Sequence, residues 1–201
     1  MRLQPPMTMM DFFRKSAGMW FIERTVHHFD ITSDESGESN LIVSVIEPND
    51  PRLLEICDKQ GIDPKLSPGG ASFNWLSTLD DRSPNPNYEA ILIDVPNDET
   101  GLSGKILRNK GYVEGMAVIC RYWFGQDGIL TINTDYEKNQ GQERCWFVTD
   151  DFRIRVSNVK MMNGVNLVTY CSERRCVAPE TLQEMLAKHS SNYPTEVSTV
   201  N

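Results

Sequence analysis

Histidine is scarce in this chain: His27, His28 and His189 are the only three. Neighbouring residues of a strand face opposite sides, so His27 and His28 cannot readily chelate one ion, and no zinc site is expected. No Cys-x-x-Cys pair occurs. The five cysteines, Cys57, Cys120, Cys145, Cys171 and Cys176, are odd in number and irregularly spaced, which weakens zinc-ribbon and dithiol readings. There is no Gly-x-Ser-x-Gly elbow and no phosphate-binding glycine loop. Long apolar runs are missing too, and no signal-peptide pattern opens the sequence. The expectation is a protein of the reducing cytoplasm. Basic residues are the minority, 20 against 28 acidic, for a formal charge of -8. That balance argues against nucleic acid or an anionic membrane as the main partner.

What is present is a long series of strand patterns. A chain of 201 residues makes one domain able to bury a sizeable core. Met9 to Lys15 has helical spacing, and Gly18 is placed to stop it. Gly18 to Phe29 reads as a long first strand, Asp34 to Asn40 as a polar turn, and Leu41 to Glu47 as a second strand. Asp50 and Pro51 suit the start of a helix that Gly61 ends. From Gly70 the pattern is strand after strand: 71–80, 88–95, 101–109, 114–124, 129–136, 141–149, 152–161 and 165–174. Turn signals separate them, among them Asn139-Gln140-Gly141 and Asn163-Gly164, the second a two-residue hairpin turn. About ten strands joined by short loops predict an all-β, up-and-down antiparallel sheet closed on itself, with short flanking helices. Residues 1–178 form the barrel domain in this reading. Residues 179–201 form a C-terminal helix, over 180–189, and a flexible tail.

Against the overall acidity, 143–157 and 171–176 are locally basic. In Phe152-Arg153-Ile154-Arg155-Val156-Ser157, Arg153, Arg155 and Ser157 share one strand face and Phe152, Ile154 and Val156 the other. Two readings follow. Either the arginines face water, which alternation alone favours, or they face inward to hold a ligand with two carboxylates. A ten-strand barrel is wide enough for such a ligand. By the same alternation Arg24 lies with Trp20, Ile22 and His28, Trp75 with Phe73, Tyr122 with Cys120 and Phe124, and Glu143 with Cys145 and Phe147. Trp146 points the other way. Glu173-Arg174-Arg175 reads as a solvated strand end, and Asp150-Asp151 as turn acids.

Several ordered pieces resemble the S-type phycobiliprotein chromophore lyases, the CpcS/CpeS family. They are Asp11-Phe12-Phe13-x-x-Ser16-x-Gly18-x-Trp20, Arg24-Thr25-x-His27-His28, Phe73-x-Trp75, Glu143-x-x-Trp146-Phe147, Asp151-Phe152-Arg153-Ile154-Arg155-x-Ser157 and Tyr170-Cys171-Ser172-Glu173-Arg174-Arg175. The resemblance implies a ten-stranded calycin-type barrel close to fatty-acid-binding proteins. It implies an enzyme, a lyase that binds an open-chain tetrapyrrole, typically phycocyanobilin, and attaches it through a thioether to a cysteine of an apo-phycobiliprotein. The bilin is then substrate, with no permanent cofactor. The family's functional positions fall on Glu143 and His27 for catalysis and on Arg24, Trp75, Arg153, Arg155 and Ser157 for the ligand, with Tyr122 and Trp146 as further candidates. It also leaves open action alone, as a homodimer, or as a heterodimer with a related lyase. The alternative is a calycin-type carrier of a bilin or other apolar carboxylate that does no chemistry.

Overall fold

The computed structural model describes residues 7–29, 34–76, 85–111, 115–161 and 166–176. Among them ten strands close a barrel: β1 (Gly18–His28), β2 (Glu35–Ile46), β3 (Gly69–Trp75), β4 (Glu89–Pro96), β5 (Ser103–Arg108), β6 (Val118–Phe124), β7 (Leu130–Asp135), β8 (Asn139–Thr149), β9 (Phe152–Met161) and β10 (Asn166–Arg175). Every strand pairs antiparallel with its sequence neighbours, and β1 pairs with β10 to close the ring. This is the expected up-and-down barrel. Closure satisfies backbone donors and acceptors that an open edge would leave bare. Two short helices flank it, α1 (Met9–Ser16) and α2 (Pro51–Lys59). Among the described residues no helix is long and apolar enough to cross a membrane.

Helix α1 plugs one end of the barrel. Thr8 and Asp11 form a reciprocal capping box, with the Asp11 N–H donating to Thr8 Oγ1 at 3.1 Å and the Thr8 N–H to Asp11 Oδ2 at 3.3 Å. Met9, Met10, Phe12 and Phe13 are buried in the barrel core. The Phe12 ring lies 5.3 Å from that of Phe147 and 6.1 Å from that of Phe124, and Phe13 meets Phe73 edge-on at 6.2 Å. Gly18, at φ 117°, turns the chain from α1 into β1, a conformation that glycine adopts at little cost. The Trp20 indole N–H then donates back to the Ser16 carbonyl at 2.7 Å. The opposite end is the mouth.

Helix α2 forms where its capping pattern predicts and lies against the outer wall. Asp50 caps it through the Arg52 N–H at 2.9 Å, and Pro51 occupies its first turn. Leu53, Ile56 and Cys57 pack on Ile46, Ile91, Ile93, Val95 and Leu107, a second apolar core outside the barrel. This explains why β4 is buried on both faces and reads as a continuous apolar run.

Two turn expectations are corrected. Glu35 to Asn40 is strand, the first half of β2, paired with β1 from Val26 to Phe21. Its residues are largely exposed beside the mouth, so the ladder tolerates a polar sequence that looks like a turn. Asn139, Gln140 and Gly141 already belong to β8. The reversal falls on Tyr136 to Lys138, where the Tyr136 N–H donates to the Asn139 carbonyl at 2.8 Å. The Asn163-Gly164 hairpin, the 77–80 part of the third core strand and the C-terminal helix lie outside the described residues.

Near the plugged end Tyr122 donates its hydroxyl to Asp94 Oδ1 at 2.8 Å, both side chains being buried. Burial pushes the Asp94 carboxyl from its ordinary 3.8 up to about 6, although the Tyr122 hydrogen bond opposes the shift. Burial and the neighbouring Asp94 push the Tyr122 phenol well above its ordinary value. Folded Asp94 therefore keeps its proton to higher pH than the unfolded chain does. Its stabilising contribution is complete below pH 3.8 and is lost as pH rises through about 6. At roughly 1.4 kcal/mol per unit the full loss is about 3 kcal/mol. Asp94→Asn keeps an acceptor for Tyr122 and cannot ionise. Between pH 4 and 7 the urea midpoint of the native protein relative to that of the variant should decline through this window; a constant difference would refute the assignment.

Candidate active site

The interior of β8, β9, β10 and β1 is stacked in three tiers, fixed by register. Nearest α1 lie Phe147, Arg153, Glu173 and Ile22 on adjacent strands. Next come Cys145, Arg155, Cys171 and Arg24, and nearest the mouth Glu143, Ser157, Thr169 and Val26. Successive tiers are about 7 Å apart, the rise of two strand residues. Arg153 and Arg155 thus both point into the barrel, while Phe152, Ile154 and Val156 lie on the outer face. The side chain of Arg153 is 3% exposed and that of Arg155 17%.

The charges form an alternating ladder. Arg153 donates through Nε to Glu173 and through Nη1 to Ser16 Oγ at 2.7 Å. Its guanidinium lies 4.4 Å from the Trp20 ring, as does that of Arg175. Arg155 Nε donates to the other Glu173 oxygen at 2.9 Å, and its Nη1 lies 3.8 Å from Glu143 Oε1. From the far wall Arg108 Nη2 donates to Glu143 Oε2 at 2.5 Å. Glu173 is fully buried. Burial pushes its carboxyl up, but Arg153 and Arg155 outweigh that and hold it below the ordinary carboxylate range.

Two connected spaces meet at this ladder, both lined by Glu143 and Arg155. The inner one is mostly aromatic and aliphatic, with Phe12, Phe13, Phe73 and Trp75 facing Arg108 and Arg153. The outer one, open at the mouth, sets polar side chains, among them Arg24, His28, Glu35, Gln142 and Ser157, among the apolar Val26, Val159, Met161 and Leu167. An apolar chamber with a few convergent charges is the usual form of a small-molecule site.

Six of the expected residues, Arg24, Trp75, Glu143, Arg153, Arg155 and Ser157, line these spaces. His27 does not. It sits on the outer face of β1, with Nδ1 2.7 Å from Asp34 Oδ2 and its ring edge-on to Tyr170. Alternation turns His28 inward instead, where Nε2 lies 3.1 Å from Glu35 Oε1. Tyr122 belongs to the core near α1 and lines neither space; its hydroxyl is engaged by Asp94. Trp146 faces outward, opposite Ile154. The sequence reading missed Glu173 and Arg108. Glu173 is not a solvated strand end: only Arg174 of that triplet is largely exposed, and Arg175 is anchored on the Ala17 and Lys15 carbonyls at 2.5 and 2.6 Å. The available signal was alternation, since Glu173 shares a face with Cys171 and Arg108 with Ile106.

Barrel, plug helix and charged interior define the class: a closed ten-stranded antiparallel barrel with an ion ladder inside. The CpeS-like protein family model matches residues 8–176. The chain is 59% identical over 191 residues to chromophore lyase CpcS/CpeS 4 of Trichodesmium erythraeum, covering 95% of this chain and 99% of that one. It is 36% identical over 167 residues to the phycocyanobilin lyase subunit CpcS of a Picosynechococcus, covering 82% and 84%. The S-type phycobiliprotein lyase CPES of Guillardia theta has the same fold, with a TM-score of 0.70 at 22% identity over 86% of this chain and 94% of that one. The chain belongs to the CpeS-like family of S-type chromophore lyases, and it is a lyase.

Glu173→Gln would leave Arg153 and Arg155 without their shared counter-charge. The loss of stability at neutral pH should be about 3–5 kcal/mol. Because Glu173 is held below its ordinary value of 4.5, its contribution is present above that pH and lost as pH falls through the lowered value. The gap between native protein and variant, read from urea unfolding, should therefore close on the acid side. A constant gap would mean the ladder is not ionised as described.

Proposed function

We propose that this lyase binds an open-chain tetrapyrrole, of the phycocyanobilin type, inside the barrel and attaches it to a cysteine of an apo-phycobiliprotein. The carrying observation is the buried ladder in which three arginines face two glutamates, with Arg24 adding positive charge to the outer space of an otherwise acidic protein. Such an interior favours a dicarboxylate, and a bilin has two propionates. Arg155 and Arg24 flank Cys171 in one tier, about 10 Å apart at the backbone, two strand spacings. They are the pair assigned to the propionates. Arg153, locked on Glu173, Ser16 and Trp20, acts mainly as the latch between barrel and plug. Trp75 supplies an aromatic face for the conjugated rings.

Glu143, where the two spaces join, is the counter-charge for protonated pyrrole nitrogens, with Ser157 directly across the strand pair. Protonation draws electrons from the ring A ethylidene. The acceptor's thiol then adds across that double bond: sulfur bonds the ethylidene carbon, the proton ends on the tetrapyrrole, and nothing is lost. His28 lines the outer space, so this reading gives it, rather than the outward-facing His27, the proton-handling role. The buried thiols around the barrel interior are poor nucleophiles. Cys145, beside the inner space, is pushed up to about 12 by burial, and burial also raises Cys120 and Cys171. A reducing cytoplasm keeps the acceptor thiol competent.

Titration with phycocyanobilin followed by absorbance, and a zinc-fluorescence gel for adduct on acceptor subunits, test the reading. Arg155→Ala should weaken binding by about 1.5–3 kcal/mol, the scale of a hydrogen bond to a charged group. Glu143→Gln should still bind but show a weaker or blue-shifted red band and slower transfer; an unaltered spectrum would remove Glu143 from this role. A variant with all five cysteines replaced by Ser or Ala should transfer nearly as well as the native protein. Transfer abolished by loss of a single lyase cysteine, with fold and binding intact, would mean a covalent lyase–bilin intermediate.

A further inference from the structure

Arg108 reaches the interior from β5, on the wall opposite Arg153 and Arg155, and its side chain is 3% exposed. Burying a guanidinium this completely is unfavourable unless a partner offsets it, and an apolar residue of similar volume would serve stability as well or better. Its partner is Glu143, taken through Oε2, while Arg155 approaches Oε1. The carboxylate is therefore held by one guanidinium on each oxygen. Arg108 lines only the inner space, so it grips Glu143 from behind and leaves its outer side toward Arg155 and Ser157.

The backbone of Arg108 is itself fixed from outside the barrel. The Gln60 side-chain amide, at the end of α2, donates to the Arg108 carbonyl at 3.1 Å. One residue on, Asn109 closes the ladder on Ile91, its side-chain oxygen accepting the Ile91 N–H at 2.9 Å and its own N–H donating to the Ile91 carbonyl at 3.3 Å. A continuous set of contacts thus runs from α2 through the wall to Glu143. We infer that Arg108 is a positioning residue for the reaction: it sets the orientation of the Glu143 carboxylate, with Gln60 steadying it, and does not itself hold a propionate. This rests on the role proposed for Glu143.

The test uses Arg108→Gln, Arg108→Lys, Glu143→Gln and the Arg108→Gln/Glu143→Gln double variant, with phycocyanobilin as ligand and an apo-phycobiliprotein subunit as acceptor. Arg108→Gln should bind within about threefold of the native Kd yet transfer about tenfold more slowly, with its red band shifted as in Glu143→Gln. Adding Arg108→Gln to Glu143→Gln should change transfer by less than about twofold, because both act through one carboxylate. Arg108→Lys should recover part of the rate. Multiplicative losses in the double variant, or lost affinity with unchanged transfer, would overturn the inference. If Arg108→Gln does not fold, Gln60→Ala replaces it, with a smaller slowing that must likewise vanish in the Glu143→Gln background. A crystal structure of Arg108→Lys or Arg108→Gln reads the geometry without bilin: Glu143 should stay in place in the first and leave it in the second, and an unmoved Glu143 in the Gln variant would refute positioning. A native protein that neither binds nor transfers bilin would defeat the lyase reading, and the structures would still decide whether Arg108 orients Glu143.

Discussion

The ion ladder from Arg153 through Glu173, Arg155 and Glu143 to Arg108 is the constraint that the rest of the structure serves. Each of these charges loses hydration that water would supply freely, and the loss is recovered only when every step meets its neighbour within hydrogen-bonding or ion-pairing reach. That demands exact strand register. A slip of one residue in β9 would send both arginines outward and bring Phe152, Ile154 and Val156 in. The long β8–β9 and β9–β10 ladders hold the register against such a slip, the shift between Phe147 and Thr149 falling beyond the Arg153 pairing toward the turn.

The plug helix and the ladder depend on each other. Arg153 reaches Ser16 of α1, and Trp20 reaches the Ser16 carbonyl from the start of β1. Arg175 closes the same corner on the Ala17 and Lys15 carbonyls, the unsatisfied end of α1. The plug therefore serves as more than apolar filling: it keeps water from the tier in which Glu173 is fully buried. Outside the wall α2 completes the frame by covering β4 and bracing the end of β5. Apolar burial is concentrated at the plugged end and along α2, while the mouth is open and mixes polar with apolar side chains. A protein with a net charge of -8 in this way encloses an interior ladder in which arginines outnumber glutamates.

The sequence was most legible where periodicity is local. Alternation through 143–157 correctly gave the shared face of Arg153, Arg155 and Ser157, and capping at Asp50 and Pro51 gave α2. It was least legible where polarity was taken for exposure. Glu173 and Arg175 read as a solvated strand end, and Glu35 to Asn40 as a turn, because charge in a sequence carries no sign of whether a partner waits for it. His27 and Tyr122 show the complementary error: their motifs were present, but one side chain falls on the outer face and the other is held by Asp94 in the core.

By itself the sequence determined the strand count, the antiparallel order, the existence of two short flanking helices, and which side chains share a strand face, all consequences of short-range periods and turn chemistry. Only the tertiary structure decided which face is the inside, and which charges meet. Ser16 finds Arg153 across 137 residues and Arg108 finds Glu143 across 35, contacts set by closure of the ring and carried by no local pattern. Alternation assigns residues to two faces; closing the barrel is what makes one of them an interior, where an ion pair must be complete because water is excluded.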